Sequence, residues 1–342
     1  RPDPGLRAPR GLGCRRRLCP LHEGVFAAAT ALYGITFHAR PDLRGFTPES
    51  EVYEVREEDG TPLGAVILDP FTRATKRGGA WMTSLVDQSE LTGALPVVTN
   101  TCNFPRPVEG AACLLTWDNV ITMFHEFGHA LHGLLSEVRY PSRAGTAVPR
   151  DFVEFPSQVN ELWAWDQTLV SRFAVHHETG EPLPPELATR LRVSRSAGEG
   201  HHTLELVAAM LLDQAWHTTA LEELPASVEE VESFEAAALE RAGVAHELVP
   251  PRYRSCYFSH VFGSVYAAAY YGYLWAEVLD ADACAWFADN GGLCRKAGEH
   301  FRRELLGRGG SIEPMQAWRN FRRADPDVSH LLRRKGLPVE QR

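Results

Sequence analysis

Residues 122–130 read Thr122-Met123-Phe124-His125-Glu126-Phe127-Gly128-His129-Ala130. Two histidines four residues apart enclose a glutamate, the pattern His-Glu-x-x-His. On an α-helix, positions i and i+4 differ by about 400° of rotation. The two imidazoles therefore share one face, about 6 Å apart along the axis. A zinc ion, bound at about 2.0–2.1 Å from an imidazole nitrogen, fits between them. Glu126 lies about 100° around the helix from His125, where its carboxylate reaches a water on the open side of the metal. Two ligands and a base on one turn are a minimal kit for hydrolysing a peptide bond.

The surroundings support a helix. Trp117, Val120, Ile121, Phe124, Phe127, Gly128, Leu131 and Leu134 recur at helical spacing around the motif. Asp118 reads as an N-cap, and Pro141 follows the point where the helix ends. The motif thus falls inside a buried amphipathic helix, as its geometry requires.

The third ligand selects the subclass. A metzincin places Gly three residues and His six residues after the second histidine. Here those positions hold His132 and Leu135, so that pattern is absent. His132 is a poor ligand, because it stands about 10.5 Å along the axis from His125. The other route is a glutamate on a later helix, giving a His₂Glu site with an open position. Glu154, within Asp151-Phe152-Val153-Glu154-Phe155-Pro156-Ser157-Gln158, is the leading candidate. Its apolar neighbours make an unpaired carboxylate costly unless a cation compensates it. Glu137 and Glu161 are the alternatives, and Asp151 is a candidate for orienting a ligand.

A second constellation lies at 257–275. Tyr266, Tyr270 and Tyr273 are spaced four and three apart, so on a helix they form one stripe. An aromatic core stripe is the ordinary reading. Three hydroxyls on that face, however, each need a partner when buried. Gly263-Ser264 permits a tight loop that places His260 beside the stripe. Donors of this kind stabilise the oxyanion formed when water attacks a carbonyl. Gly78-Gly79-Ala80-Trp81-Met82 reads as an exposed edge strand and Arg143-Ala144-Gly145-Thr146 as a substrate loop.

The motif His125-Glu126-Phe127-Gly128-His129, the Ala144-Gly145-Thr146 loop and the 151–158 stretch together resemble the thimet oligopeptidase family of zinc peptidases. Gly78–Met82, Pro250-Pro251-Arg252-Tyr253-Arg254-Ser255 and Tyr270-Tyr271-Gly272-Tyr273-Leu274-Trp275 are most similar to its bacterial peptidyl-dipeptidases. The resemblance runs from about residue 23 to the C-terminus. It implies a zincin-like catalytic region with one zinc held by His125, His129 and Glu154, and with Glu126 as general base. It also assigns His260, Tyr266 and Tyr273 to substrate or transition-state contacts, Tyr273 being the favoured oxyanion donor. Short peptides are the implied substrates, with release of C-terminal dipeptides. General endopeptidase action on oligopeptides is the alternative. Family members carry a long helical region ahead of this part, so the chain corresponds to the catalytic half. A metal-binding fragment without turnover is therefore the rival expectation.

Composition bounds the remaining classes. Apolar content of 44% with 23% charged residues reads as globular. A net charge of −9, with no basic face, argues against nucleic-acid binding. No apolar run approaches the roughly 18 residues of a membrane span. Seven scattered cysteines suggest free thiols and a reducing, cytoplasmic setting. Cys14 and Cys19 lack a second pair and read as non-ligands. Nothing in the sequence fixes the oligomeric state.

The expected architecture is mainly α with a small β-sheet (α+β). A hairpin is expected across Asp59-Gly60 within 51–69, with strands at 80–86 and 96–99. Helices are expected at 24–34, at 202–222, and from a capping box Ser227-x-x-Glu230 to Gly243. Residues 1–22, with Arg15-Arg16-Arg17, lack periodicity and read as a disordered or non-native segment ahead of a catalytic domain at 23–342.

Overall fold

Alternating apolar residues over 51–71 build the hairpin that seeds the sheet. In the computed structural model, Val52 and Val55 on one arm and Val66 and Leu68 on the other point into the core. The structure describes residues 13–15, 19–107, 112–194, 197–263 and 265–339. The segment expected to be anomalous, 1–22, falls mostly outside them, as does Ser264. Of that segment, 13–15 and 19–22 enter the first strand and first helix.

The strands are β1 Gly13–Arg15, β2 Thr36–Ala39, β3 Glu51–Arg56, β4 Pro62–Phe71, β5 Trp81–Val86, β6 Val97–Phe104 and β7 Ala112–Leu114. Five of them form one sheet in the order β2-β3-β4-β6-β5. β4 and β6 run parallel, the other neighbours antiparallel. The strand expected at 96–99 is thus longer, and it sits between its neighbours rather than at a margin. β5 is an edge, as its glycine-flanked sequence suggests.

The helices are α1 Cys19–Tyr33, α2 Trp117–Leu134, α3 Arg150–Glu161, α4 Gln167–Phe173, α5 Pro185–Ser194, α6 Glu199–Thr218, α7 Val228–Arg241, α8 Ser259–Phe262, α9 Gly272–Asp289, α10 Arg295–Glu304, α11 Pro314–Arg322 and α12 Ser329–Arg334. The mainly helical α+β class holds.

Thr116 rather than Asp118 caps α2. Its hydroxyl accepts from the Asn119 amide, and the Asn119 side chain accepts in return from the Thr116 N–H. Asp118 sits in the first turn, where its charge suits the helix dipole. The capping box expected at Ser227 does not form. Glu230 instead accepts from the Ala226 amide.

Two glycines set the helix packing at the centre. A Cβ on Gly128 would stand 2.6 Å from Ser157 Cα and 2.8 Å from Asn160 Cβ, so α2 and α3 meet backbone to backbone. A Cβ on Gly272 would stand 3.1 Å from Arg150 O and 3.2 Å from Asp151 Cα, which brings the start of α9 against the start of α3. Phe124, Phe127, Phe155, Phe287, Phe301, Trp318 and Phe321 fill the main core around this junction. Helices α6 and α7 and the 253–271 segment hold smaller clusters of their own.

Candidate active site

The three expected ligand side chains converge. His125 and His129 project from one face of α2, their rings 5.0 Å apart. Glu154 comes from α3, which Gly128 lets approach. Its Oε2 lies 3.1 Å from His125 Nε2 and 3.2 Å from His129 Nε2. One donor atom from each residue lies within 4.8 Å of the others. Glu154 is 4% exposed, and among the described residues its ion-pair partners are the two imidazoles; no Lys or Arg reaches it. A buried carboxylate facing two ring nitrogens fits a divalent cation better than it fits an apolar core.

The alternatives for the third position separate cleanly. Glu161 accepts a hydrogen bond from His125 Nδ1 at 2.7 Å, behind the ring rather than at the open centre. Glu137 pairs with Arg302. His132 is 1% exposed and lies outside the donor group. Asp151 accepts from the Tyr271 hydroxyl at 3.2 Å; among the described residues, no hydrogen bond joins it to His125, His129 or Glu154.

Glu126, 6% exposed, leaves Oε2 without a partner. Burial pushes its carboxyl above the usual range, opposed by the charges of His125 and His129. Burial would also raise Glu154, but the His129 charge and hydrogen bonds from both imidazoles win. Its carboxyl lies well below the usual range. Burial alone would lower His125; bonds to Glu154 and Glu161 instead lift it well above the ordinary histidine value. The arrangement therefore favours positive charge at the point where the three donor atoms meet, and protons compete with a cation for it.

The tyrosines assemble, though not as a helical stripe. α8 stops at Phe262, and α9 starts only at Gly272. Between them Ala268 adopts φ 55°, a left-handed turn that no glycine announces. The rings still cluster: Tyr266 stacks on Tyr273 at 5.3 Å, and Tyr270 lies 5.1 Å from Tyr273. His260 stands 5.5 Å from the Tyr270 ring, 6.4 Å from Tyr266 and 6.5 Å from Tyr273. The Tyr266 hydroxyl donates to Glu154 Oε1 at 2.5 Å. Burial and the Glu154 charge push the Tyr266 and Tyr273 hydroxyls up, so both stay protonated donors. The Gln158 amide holds the start of α9 through the Tyr273 carbonyl, at 3.2 Å.

The profile of peptidase family M3 matches residues 18–337. The chain belongs to peptidase family M3. It is 44% identical over 317 residues to a dipeptidyl carboxypeptidase of Salmonella typhimurium, covering 93% of this chain and 46% of that protein. It is 38% identical over 320 residues to oligopeptidase A of Escherichia coli, covering 92% and 46%. The chain thus spans about half the length of the curated relatives it matches. A solved carboxypeptidase of Pyrococcus furiosus shares the fold at 13% identity, with a TM-score of 0.50 over 96% of this chain and 60% of that one. Membership in peptidase family M3 implies a catalytic metal, and the His125, His129 and Glu154 group suits one. Among the described residues, no helix is long and apolar enough to cross a membrane.

Sequence reasoning missed two features of this candidate site. The support of His125 by Glu161 had no signal beyond a carboxylate on the same helix as Glu154. Asp213, buried on α6, accepts from the backbone amides of Ala268 and Tyr270, both at 2.9 Å. A lone aspartate in a helical apolar pattern is the one trace of it in the sequence.

Proposed function

We propose that this chain is the catalytic part of a zinc peptidase that acts on short peptides and releases C-terminal dipeptides. The observation that carries the reading is the convergence of His125 Nε2, His129 Nε2 and Glu154 Oε2 within 4.8 Å, beside a buried Glu126 with an unpartnered oxygen. One zinc per chain suits two imidazoles and a carboxylate with an open fourth position. Zinc held there supplies Lewis-acid polarisation of the scissile carbonyl and makes a water acidic enough to attack at neutral pH.

The protein's own groups do the rest. Glu126 takes the proton of the attacking water and returns it to the leaving amine; its raised carboxyl suits a group that must both accept and donate. Tyr273 and Tyr266 supply hydroxyl donors for the oxyanion, with Tyr273 favoured because Tyr266 already serves Glu154. His260, beside both rings, contacts the substrate. The β5 edge offers backbone groups to an extended peptide. A cytoplasmic setting agrees with the free Cys102, Cys256 and Cys294.

The dipeptide register rests on the similarity to dipeptidyl carboxypeptidases at 43% and 44% identity. Similarity to oligopeptidase A supports a second reading, internal cleavage of oligopeptides. The 46% coverage of these relatives supports a third, a metal-binding piece without turnover. Cleavage products from a peptide ladder, with and without a blocked C-terminus, separate the first two. Dipeptides from the free C-terminus are expected, and internal cuts refute that register. Bound zinc with equal trace hydrolysis in wild type and Glu126→Gln favours the third.

A further inference from the structure

The loop that carries Tyr266 is strained and tied down from one side. Ala268 sits at φ 55°, a region that costs a residue with a Cβ on the order of 1–3 kcal/mol and persists only where neighbours enforce it. The enforcing groups lie on α6. Asp213 Oδ1 accepts from the Ala268 amide and Oδ2 from the Tyr270 amide, each at 2.9 Å. Gln214 Nε2 donates to the Ala268 carbonyl at 2.9 Å. Asp213 is 0% exposed and also pairs with His217 Nδ1 at 2.9 Å. A buried carboxylate with both oxygens committed to one loop is a costly arrangement that a packing role alone does not need.

The loop's other end reaches the ligand set. Tyr266, two residues before Ala268, donates to Glu154 Oε1, the carboxylate oxygen that does not face the imidazoles. That bond fixes the carboxylate so that a single oxygen, Oε2, is presented between the two rings. Hydrogen-bond partners of ligand side chains typically change metal affinity by about 10–100-fold.

We propose that Asp213 is a positioning residue for the ligand set. It acts through the Ala268 turn and the Tyr266 hydroxyl on the orientation of Glu154. The inference rests on the reading of His125, His129 and Glu154 as a metal site, and it adds a residue that touches neither metal nor substrate. In Asp213→Asn, one loop amide meets an NH₂ group in place of an oxygen, so one of the two ties is lost.

The test is the rate and affinity with which the zinc-loaded chain loses metal to a chromophoric chelator, a readout independent of turnover. Tyr266→Phe is expected to weaken retention about 10–100-fold and Asp213→Asn about tenfold. The double variant should match Tyr266→Phe alone, because both act through one bond. Ala268→Gly, which adopts positive φ freely, should recover several-fold in the Asp213→Asn background. Gln214→Leu removes the neighbouring tie with less burial at stake, so it serves if Asp213→Asn fails to fold, and it should also not add to Tyr266→Phe. Unchanged retention in Asp213→Asn or Gln214→Leu, or losses that multiply in the doubles, would overturn the proposal. A wild-type chain that retains no zinc refutes the metal-site reading instead.

Discussion

Gly128 sets the distance between the two helices that carry the candidate ligands, and replacing it with alanine tests this arrangement directly. Two effects oppose each other. Alanine in a helix interior is favoured over glycine by about 1 kcal/mol. The new Cβ, however, would stand 2.6 Å from Ser157 Cα, 2.8 Å from Asn160 Cβ and 3.1 Å from Pro156 O. Ordinary contact begins near 3.4 Å, so α2 and α3 must part by roughly 0.8 Å at a backbone atom that cannot rotate aside. Overpacking of this kind costs about 1–3 kcal/mol. The net expectation is a loss of up to about 2 kcal/mol. The same displacement moves Glu154 away from His125 and His129, while a metal site tolerates only about ±0.2 Å in ligand distances. Metal affinity should therefore fall further than stability does. Gly200, exposed near the start of α6, is the control, because a Cβ added there would meet nothing within 4 Å. Gly200→Ala should stabilise by up to about 1 kcal/mol and leave metal affinity unchanged. Urea unfolding and chelator competition on the two variants give both quantities. If Gly128→Ala gains stability as Gly200→Ala does and keeps its affinity, the backbone contact between α2 and α3 does not set the site.

Three further outcomes follow from the same geometry. Glu126→Gln should keep full metal content and lose about 10²–10⁴ in kcat, measured by metal analysis and peptide hydrolysis; loss of the metal would place Glu126 among the ligands instead. Tyr273→Phe should lower kcat by about 10²–10³ with little change in KM, and a loss confined to KM would make it a ground-state contact. Burial, with a smaller contribution from His129, lowers the His132 imidazole to about 3 from 6.5. The unfolded chain therefore binds an extra proton as pH falls through 6.5. The stability tied to neutral His132 is present above 6.5 and lost progressively towards 3, about 2 kcal/mol of it by about pH 5. Urea midpoints at about pH 7, 6 and 5 should converge on those of His132→Gln as acid is added; a constant gap between the two proteins refutes this.

The legibility of the fold followed periodicity. The helix from Trp117 to Leu134 and the hairpin across Asp59-Gly60 repeat their apolar residues at about 3.6 and 2, and both stand where that spacing puts them. Glu154 was legible for a different reason, since a carboxylate among Phe152, Val153 and Phe155 has to be compensated. The tyrosine segment shows the limit. A spacing of four and three suggested one helix, yet the chain breaks at Phe262 and turns left-handed at Ala268. Alanine gives no local warning of positive φ. The turn is imposed by Asp213 and Gln214, 55 and 54 residues earlier in the chain. Long-range enforcement of a strained loop leaves no periodic trace, so the tyrosines were grouped correctly for an incorrect local reason.

The charge balance of the centre explains why these residue types belong together. Three carboxylates, Glu126, Glu154 and Glu161, surround two imidazoles in a largely buried space. With neutral histidines that is three negative charges, and among the described residues no Lys or Arg pairs with Glu154. Such a set is unstable away from water unless something positive enters. Protonation of both His125 nitrogens, one bonded to Glu161 and the other to Glu154, puts a positive charge between the two and answers part of that demand. A dication would answer it better, because one donor atom each of His125, His129 and Glu154 lie within 4.8 Å of one another and could hold it, while Glu161 keeps the Nδ1 side of His125. Glu126, bonded to neither ring, is then the one carboxylate left to exchange a proton. The same arithmetic separates the two glutamates of the motif region: the partnered one is held ionised, and burial raises the unpartnered one above the usual carboxylate range.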